Sequence, residues 1–304
     1  MADQRSYTGG NFRLEVGKSD AGYLRKVSGG GMKADIAEHK LGPQNYTKKN
    51  VAKIAWEEVK FEVGIGMGDE VYKWIKAAFD KNFLTQQCTL VAGDFNHKAV
   101  QEMQYIDCLV SSVATPKFDG SDKNPAYFTV AFRPERVRHA PGDGTDIRAK
   151  MGPAQKAHLC SNFRLSIPDM PCNRVASIDA MELKCSVSED AVGIYRENSL
   201  HPMALTVPDM KVTWSYADFT AIEKKAYDWF VLGHHLEGQE WTTTIELLDP
   251  NMKDKVGEIT LLNCGWKEFK SDDREGGSDK ILRCTGTFYV EQMQIQIDRY
   301  DSAS

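Results

Sequence analysis

The 304-residue sequence repeats its own motifs in the same order, at an offset that drifts only from about 151 to about 156 residues. The motif Asn11–Leu14 returns as Asn162–Leu165, and Val71–Ile75 is echoed by Ala226–Phe230. The remaining matches are Asp94–Lys98 with Asp249–Lys253, Val100–Glu102 with Val256–Glu258, Cys108 with Cys264, and Thr129–Phe132 with Thr285–Phe288. Because all of these matches keep one order and nearly one offset, they predict a duplicated domain.

The boundary between the two predicted copies lies in residues 138–161, which are rich in glycine, proline and charged residues. This stretch has no sustained apolar period, as is typical of a linker. The sequence therefore predicts a first domain at 11–137, a linker at 138–161 and a second domain at 162–297.

Alternation of apolar and polar residues predicts that each copy consists mostly of strands. The run Ile54–Val63 ends with Val59, Phe61 and Val63 on one face and charged residues on the other. The other predicted strands are Phe12–Val16, Cys88–Ala92, Tyr105–Val113, Tyr127–Val137, Phe163–Ile167, Ile178–Val187, Lys211–Tyr216, Thr242–Leu248, Glu258–Trp266 and Ile281–Ile297. This density of short, alternating runs indicates antiparallel sheets.

Each copy is also predicted to contain one amphipathic helix. The first covers residues 69–82, with an apolar stripe formed by Val71, Trp74, Ile75, Ala78 and Phe79. The second begins at the capping-box pattern Thr220–Glu223, with a stripe formed by Ile222, Ala226, Trp229 and Phe230. An apolar stripe has to be buried against a sheet. The predicted fold is therefore mainly β: two tandem antiparallel β-sandwiches or barrels, each with one flanking α-helix.

Composition and spacing argue against several classes of function. The 38 basic and 43 acidic residues give a formal charge of -5, whereas nucleic-acid recognition needs a basic surface. The 7 cysteines are scattered without a C-x-x-C pair, and His234-His235 has no second ligand pair nearby in sequence. Gly64–Gly68 lacks the spacing and the lysine of a phosphate-binding loop, so a strand-to-helix turn is expected there. We expect no metal, no cofactor and no enzymatic activity.

The same sequence gives an expectation about the compartment. No apolar run approaches the length that spans a bilayer, and the first residues contain no hydrophobic signal segment. Unpaired cysteines fit a reducing environment. We therefore expect folding in the cytoplasm and no contact with a membrane.

The order of motifs resembles that of a known family of structural proteins. A lysine-rich lead-in (Lys48–Ile54) precedes an alternating strand, a Tyr-Lys-Trp helix and a hairpin at Asp94–Lys98, while Asn11–Leu14 and Val27–Met32 fit the opening strands. This order is similar to the tail-tube proteins of contractile-tailed phages. It is also similar to the inner-tube proteins of contractile injection systems, including type VI secretion.

The resemblance implies rings of six domains that stack into a hollow tube. A chain with two domains would then place three copies in each ring, with pseudo-sixfold symmetry. The implied partners are the chain itself, the sheath, baseplate and terminator proteins, and DNA or an effector that passes through the lumen without specific binding. The implied location is a virion tail or the tube of an injection particle, assembled in the bacterial cytoplasm.

Polar residues on alternating strands and in loops are the candidates for lumen-facing or inter-subunit positions. They are Ser28, Gly29, Gly30, Glu58, Lys60, Glu62, Gln292, Gln294 and Gln296. The segments Ser28–Met32 and Lys40–Lys53 are predicted to be long polar loops that reach a neighbouring ring. An outer, solvated surface is the alternative interpretation of all these residues.

Two other functions remain open at the level of sequence. The chain could form an end ring of the same tube, as a baseplate initiator or a terminator, and would then cap the tube without polymerising. It could also be a carbohydrate-binding β-sandwich protein, in which exposed Trp241 or Tyr195 would bind sugar.

Overall fold

Strands make up most of the structure, which is a computed structural model describing residues 9–17, 19–40, 42, 46–148, 158–191, 197–236, 238–275 and 279–298. The elements of the first half are β1 (Phe12–Val16), β2 (Ser19–Asp20), β3 (Gly22–Ser28), β4 (Met32–Lys40), β5 (Thr47–Trp56), β6 (Val59–Met67), α1 (Asp69–Phe79), β7 (Gln86–Gly93), β8 (Ala99–Ala114), β9 (Phe118–Asp119), β10 (Phe128–Arg133) and β11 (Arg136–Pro141). The elements of the second half are β12 (Phe163–Ser166), β13 (Val175–Ile178), β14 (Glu182–Asp190), β15 (Ser199–Thr206), β16 (Met210–Ser215), α2 (Phe219–Phe230), β17 (Trp241–Leu248), β18 (Lys255–Ser271) and β19 (Arg283–Ile297). The prediction of a mainly β fold is confirmed.

The strands are arranged in two large antiparallel sheets with corresponding orders. The first runs β2-β1-β7-β8-β10-β6-β3 and the second runs β12-β17-β18-β19-β16-β13-β9. Apart from the short β2 and β9, the orders match strand for strand, so that β8 corresponds to β18 and β6 to β16. We call residues at corresponding positions counterparts. This match supports the predicted duplication.

Each half has a phenylalanine at the centre of an aromatic cluster, and the two phenylalanines are counterparts. Phe132 of β10 lies 5.6 Å from the rings of both Trp74 and Tyr105, measured between ring centroids. Phe288 of β19 lies 4.4 Å from Trp266, and it also contacts Trp214 and Trp241 edge-on. Both phenylalanines are fully buried. The same position therefore anchors both cores.

Removing the second of these rings is expected to be costly. Phe288→Ala leaves a cavity among three tryptophans and should lower the free energy of unfolding by about 3–5 kcal/mol, measured by chemical denaturation. Phe95→Ala is the matched control, since Phe95 is exposed in the hairpin between β7 and β8. Equal losses in the two variants would contradict a central role for Phe288.

The two helices lie where the apolar stripes predict, but Phe230 of the second stripe is exposed, and the second helix begins differently. The stripe of α1 is buried as expected. The capping box at Thr220 is wrong, because a 3-10 turn at Tyr216–Asp218 runs directly into α2 and places Thr220 inside the helix. Tyr216 stacks on Phe219 at 4.7 Å, which holds Phe219 in the first turn of the helix.

Three predicted strands are each divided in two. Ile54–Val63 is broken between β5 and β6, Tyr127–Val137 between β10 and β11, and Ile178–Val187 between β13 and β14. In the first and third, the two parts pair with different neighbours: β5 pairs with β4 whereas β6 pairs with β3 and β10. A change of partner requires a bend that alternation alone does not reveal.

The polar loop predicted at Lys40–Lys53 is the largest error in the sequence analysis, whereas residues 29–31 of the loop predicted at Ser28–Met32 do connect two strands. Met32 begins β4 and Thr47–Trp56 is β5, and these strands form a separate two-stranded antiparallel ribbon. Most of its side chains are exposed on both faces, so no burial pattern marks it in the sequence. Residues 41 and 43–45 of the predicted loop lie outside the described residues.

The predicted linker at 138–161 is partly structured. β11 continues through Pro141 and pairs with β8 as far as Gln101. Beyond it, Ile147 is buried together with Val91 and Ala99. Residues 149–157 lie outside the described part of the chain.

The long strand β19 buries opposite faces along its length. Its first part buries even-numbered residues such as Cys284 and Phe288, whereas its last part buries Met293, Ile295 and Ile297. This exchange is expected where one strand contributes to two packed layers. It leaves the three glutamines of the last part exposed.

Candidate assembly interface

The two halves of the chain are joined by a strand pair that crosses from one to the other. β14 of the second half pairs with β8 of the first, with Leu183 directly opposite Val113. Leu183 is 2% exposed and Val113 is 1% exposed. The Thr115 N–H donates to the Met181 carbonyl at 2.9 Å, and the Met181 N–H donates to Thr115 Oγ1 at 3.0 Å. We call this contact between the halves the internal junction.

Charged side chains orient the β14–β15 hairpin on the first half. Arg133 donates to Glu189, and the Arg138 guanidinium donates to both carboxylate oxygens of Glu197 at 2.8 and 3.1 Å. The bond from Arg133 lowers the pKa of Glu189, and the bond to Glu197 raises the pKa of Arg138. Because these groups are partly exposed, they fix orientation more than they add stability.

Two further contacts complete the internal junction. β9 of the first half extends the second sheet, where Phe118 lies opposite Ile178 of β13. At the end of β19, the Ile297 N–H donates to the Tyr72 hydroxyl of α1 at 3.2 Å. Tyr72 is thereby covered and only 2% exposed. A hairpin, a sheet edge and a helix thus take part in the contact.

The β14–β15 hairpin pairs with β8, but its counterpart in the first half, the β4–β5 ribbon, has no such partner strand among the described residues. The β4–β5 ribbon stands in the first half where β14–β15 stands in the second, yet it pairs with none of the other described strands. Met32, the counterpart of Leu183, is 69% exposed. Ile36 and Val51 on the same ribbon are also exposed. The first half therefore presents an uncovered, partly apolar ribbon.

The second half contains the other side of such a contact, namely an open strand edge and an exposed helix face that could receive a hairpin like the β4–β5 ribbon. Residues Glu268–Lys270 of β18 correspond to the edge of β8 that receives β14, and among the described strands they pair only with β19. Tyr227, the counterpart of Tyr72, is 53% exposed, and Phe230 and Val231 beside it are exposed too. An edge and a helix face that are covered in the first half are thus open in the second.

Several predicted assembly residues cluster beside the internal junction. Ser28 at the end of β3 lies opposite Lys60 of β6. Glu58 accepts a hydrogen bond from Ser111 Oγ at 2.5 Å and forms an ion pair with Lys60 at 3.0 Å. Ser111 precedes the residues of β8 that pair with β14. The structure therefore brings Ser28, Glu58 and Lys60 close to the contact between the halves.

Glu182 connects this cluster to the junction itself. Burial alone would raise its pKa, but hydrogen bonds from Lys184 and Ser112 and the charge of Lys60 outweigh burial and lower the pKa. The carboxylate therefore stays charged at neutral pH and keeps its ion pair with Lys184 at 3.0 Å.

Gly29 and Gly30 are required by the turn that follows β3. Their φ angles are +95° and +80°, a region that favours glycine. A Cβ on Gly29 would lie 2.0 Å from the Glu58 carbonyl oxygen, and one on Gly30 would lie 2.7 Å from the Tyr105 hydroxyl. The turn thus explains both glycines locally, and a role in assembly stays a prediction.

Of the remaining candidates, Glu62 lies next to this cluster on β6, whereas the three glutamines lie apart from it. Glu62 lies on the same face of β6 as Lys60, turned away from the core, and forms an ion pair with Arg25 at 3.6 Å. Gln292, Gln294 and Gln296 are exposed on β19 in the second sheet. The structure does not bring the glutamines together with the charged residues of β6.

Sites of other kinds find little support in the described part of the chain. There, no group of three or more His, Cys, Asp or Glu side chains is placed to hold a metal ion. The predicted turn at Gly64–Gly68 is wrong: β6 continues through Met67, which pairs with Gly22, and Gly68 alone separates it from α1. No helix within the described ranges is both long and apolar enough to cross a membrane.

The tryptophan proposed for sugar binding is a core residue. Trp241 is half-buried, with ring centroids 5.2 Å from Trp229 and 5.9 Å from Phe288. Tyr195 lies outside the described residues. The described aromatic residue therefore does not form the exposed platform that a carbohydrate site needs.

Comparison with known proteins bears directly on the first half. Residues 9–138 match a family model described as T4-like virus tail tube protein gp19. The predicted resemblance to tail-tube proteins is confirmed. This match supports a structural tube or tube-end protein. No curated protein matches the chain.

Solved structures from contractile injection systems are also similar to the chain over nearly half its length. The tube-terminating cap of the anti-feeding prophage is 17% identical, with a TM-score of 0.42, and covers 47% of this chain and 95% of its own. A protein of the sheath–tube complex of the PVC extracellular contractile injection system is 18% identical, with a TM-score of 0.42. The match covers 46% of this chain and 95% of that protein. The PVC sheath/tube terminator is 18% identical, with a TM-score of 0.41, and the match covers 46% of this chain and 99% of the terminator.

Proposed function

We propose that this chain is a structural, non-enzymatic subunit that joins head to tail into rings, which stack into the hollow tube of a phage tail or contractile injection particle. The family match of the first half supports the tube. The internal junction carries the head-to-tail arrangement, because each half has both a hairpin and a receiving edge and only one of each is used within the chain. Such a heterologous contact forms a closed ring when its rotation closes.

Three chains per ring follow from a tandem duplication with domains at 11–137 and 162–297. The matching strand orders and the ordered motif repeats support the duplication. The ring would then contain six domains, with the internal junction alternating with a contact between chains. These two contacts are free to differ in sequence, whereas a ring of six identical domains would require them to be the same.

The sheet that passes through the internal junction is our candidate for the lumen wall. Joined from chain to chain, it would close into a barrel whose lumen face carries Lys60 and Glu62, because both lie on the face of β6 turned away from the core. Gln292, Gln294 and Gln296 lie on the last part of β19, the counterpart of β11, which pairs with the first part of β8 and not with the part that receives β14. They are therefore assigned to the outer surface, where sheath proteins would bind. A formal charge of -5 disfavours tight binding of DNA or another anionic cargo in the lumen.

Baseplate and terminator proteins would contact the two ends of the tube. The proposed location is the tail of a virion or the tube of an injection particle, with assembly in the bacterial cytoplasm.

Negative-stain electron microscopy and mass photometry of the purified full chain test the proposal. Stacked rings or tubes, with a ring mass of three 34.1-kDa chains, are expected. Lone rings of that mass would instead favour a baseplate initiator or terminator. Monomers only, or rings of six full chains, would overturn the proposed ring.

A further inference from the structure

We propose that the contact between chains repeats the internal junction in a defined register, with Met32 of one chain opposite Phe269 of the next and Lys33 opposite Glu268. The inference rests on the proposed head-to-tail ring. It names which residues of a second copy of this chain fill the open edge of β18.

The position on β18 that would receive the next chain is found by comparing how β8 and β18 pair within their own sheets. In the first sheet, Val130 lies opposite Val113. In the second, Gly286 lies opposite Phe269. The central phenylalanines, two residues further along β10 and β19, confirm that these pairs correspond. Phe269 is therefore the counterpart of Val113.

The incoming strand is located by an irregularity that both hairpins share. The β4–β5 register shifts between Ala34 and Ile36, and the β14–β15 register shifts between Cys185 and Val187. Just before the shift, Lys33 of β4 lies opposite Ala55 of β5, and Lys184 of β14 lies opposite Thr206 of β15 in the same way. The two hairpins thus align at one offset. Met32 falls on Leu183, which lies opposite Val113 in the internal junction.

The chemistry of the open surfaces fits this register. Met32 is exposed and Phe269 is half-buried, whereas the corresponding Leu183 and Val113 are buried. Pairing would remove both apolar side chains from water, which favours association. On the other face, Lys33 would oppose Glu268, and opposite charges directly across antiparallel strands attract. Within the chain these two form ion pairs with Glu57 and Lys270.

The far end of the hairpin agrees with the same alignment. In the internal junction, Glu135 Oε1 accepts a hydrogen bond from the Leu200 N–H at 2.7 Å. The counterparts are Glu291 on β19 and Lys49 on β5, both exposed. An acceptor carboxylate is thus retained, and its new partner strand carries a lysine at that position.

One contact of the internal junction cannot be repeated. Ile297 donates its N–H to Tyr72, but the counterpart of Ile297 on β11 is Pro141, since Pro141 pairs with Gln101 as Ile297 pairs with Gly257. Proline has no N–H to donate. The exposed ring of Tyr227 would therefore receive apolar packing from the next chain in place of a hydrogen bond.

Oxidative cross-linking of a double-cysteine variant tests the register. In Met32→Cys/Phe269→Cys, directly opposed side chains on neighbouring chains should form disulfides, giving linked dimers and trimers on a non-reducing gel. The matched control is Met32→Cys/Lys270→Cys, which is one residue out of register and places the two thiols on opposite faces. The chain with its native cysteines, six of which are buried, measures the background.

A charge exchange provides a second measurement that does not depend on disulfide geometry. Lys33→Glu and Glu268→Lys should each reduce the fraction of chain in rings, and the double variant should restore it. Rings that form without the Met32–Phe269 cross-link and without charge rescue would overturn the register and leave the proposed ring intact. Native chains that stay monomeric, with no cross-link in the variants, would overturn both.

Discussion

Met32→Asp is expected to abolish ring formation and to leave a folded monomer. In the isolated chain Met32 is exposed, so a carboxylate there should change the free energy of unfolding by no more than about 0.5 kcal/mol. In the ring the same carboxylate would be buried against Phe269 without a partner, which is strongly unfavourable. Light scattering after size exclusion gives the mass, and thermal unfolding followed by circular dichroism checks the fold.

Met203→Asp is the matched control for this variant. Met203 is also an exposed methionine, 58% accessible, and it lies on β15 of the hairpin that is already seated within the chain. Its substitution should leave the rings intact. Rings of normal mass and yield from Met32→Asp would contradict the proposed contact between chains.

Leu183→Asp, the same change at the counterpart position, is expected to act on folding. Leu183 is buried against Val113 in the internal junction. An unpaired carboxylate there should lower the free energy of unfolding by about 3–5 kcal/mol, measured by urea denaturation. Leu183→Ala, which adds no charge, should cost about 2–4 kcal/mol and serves if the aspartate variant does not fold.

The two counterpart variants together separate folding from assembly. Leu183→Asp should destabilise the chain itself, whereas Met32→Asp should spare the chain and act on the ring. If both variants destabilised the chain equally, the β4–β5 ribbon would already be packed in the monomer. If neither did, the internal junction would contribute nothing to the fold.

Local periodicity was sufficient to predict most of the elements and their order. The stripe of α1 is buried as expected, and β1, β7 and β17 lie within a few residues of their predicted bounds. These elements pack against one core on one face, so their burial follows directly from alternation or helical spacing. The prediction failed where that condition does not hold.

The β4–β5 ribbon and β19 illustrate two such failures. The ribbon is exposed on both faces, so its lysines and small residues carry no burial pattern and resemble a loop. β19 buries even-numbered residues first and odd-numbered residues later. A single period therefore describes only half of it. Both features depend on neighbours that are distant in sequence.

The candidate interface was predicted only in part. Ser28, Glu58 and Lys60 lie beside the internal junction, and their role between subunits stays a prediction. Met32 was included only as the last residue of a predicted loop, and Leu183 was not selected, because the pairing of β14 with β8 joins residues about seventy positions apart and leaves no local signal. Their equivalent positions in the repeat, at the start of the strand that follows β3 in one half and β13 in the other, are the signal that could have identified them.

The unseated ribbon has a consequence for how assembly proceeds in time. In the proposed ring, an arc of one or two chains would still expose the β4–β5 ribbon at one end and the open edge of β18 at the other, and exposed strand edges pair readily with other chains. Closure alone removes both ends at once. Incomplete arcs should therefore be short-lived and prone to pair with other chains. The concentration of free chains should then determine whether rings close or chains aggregate.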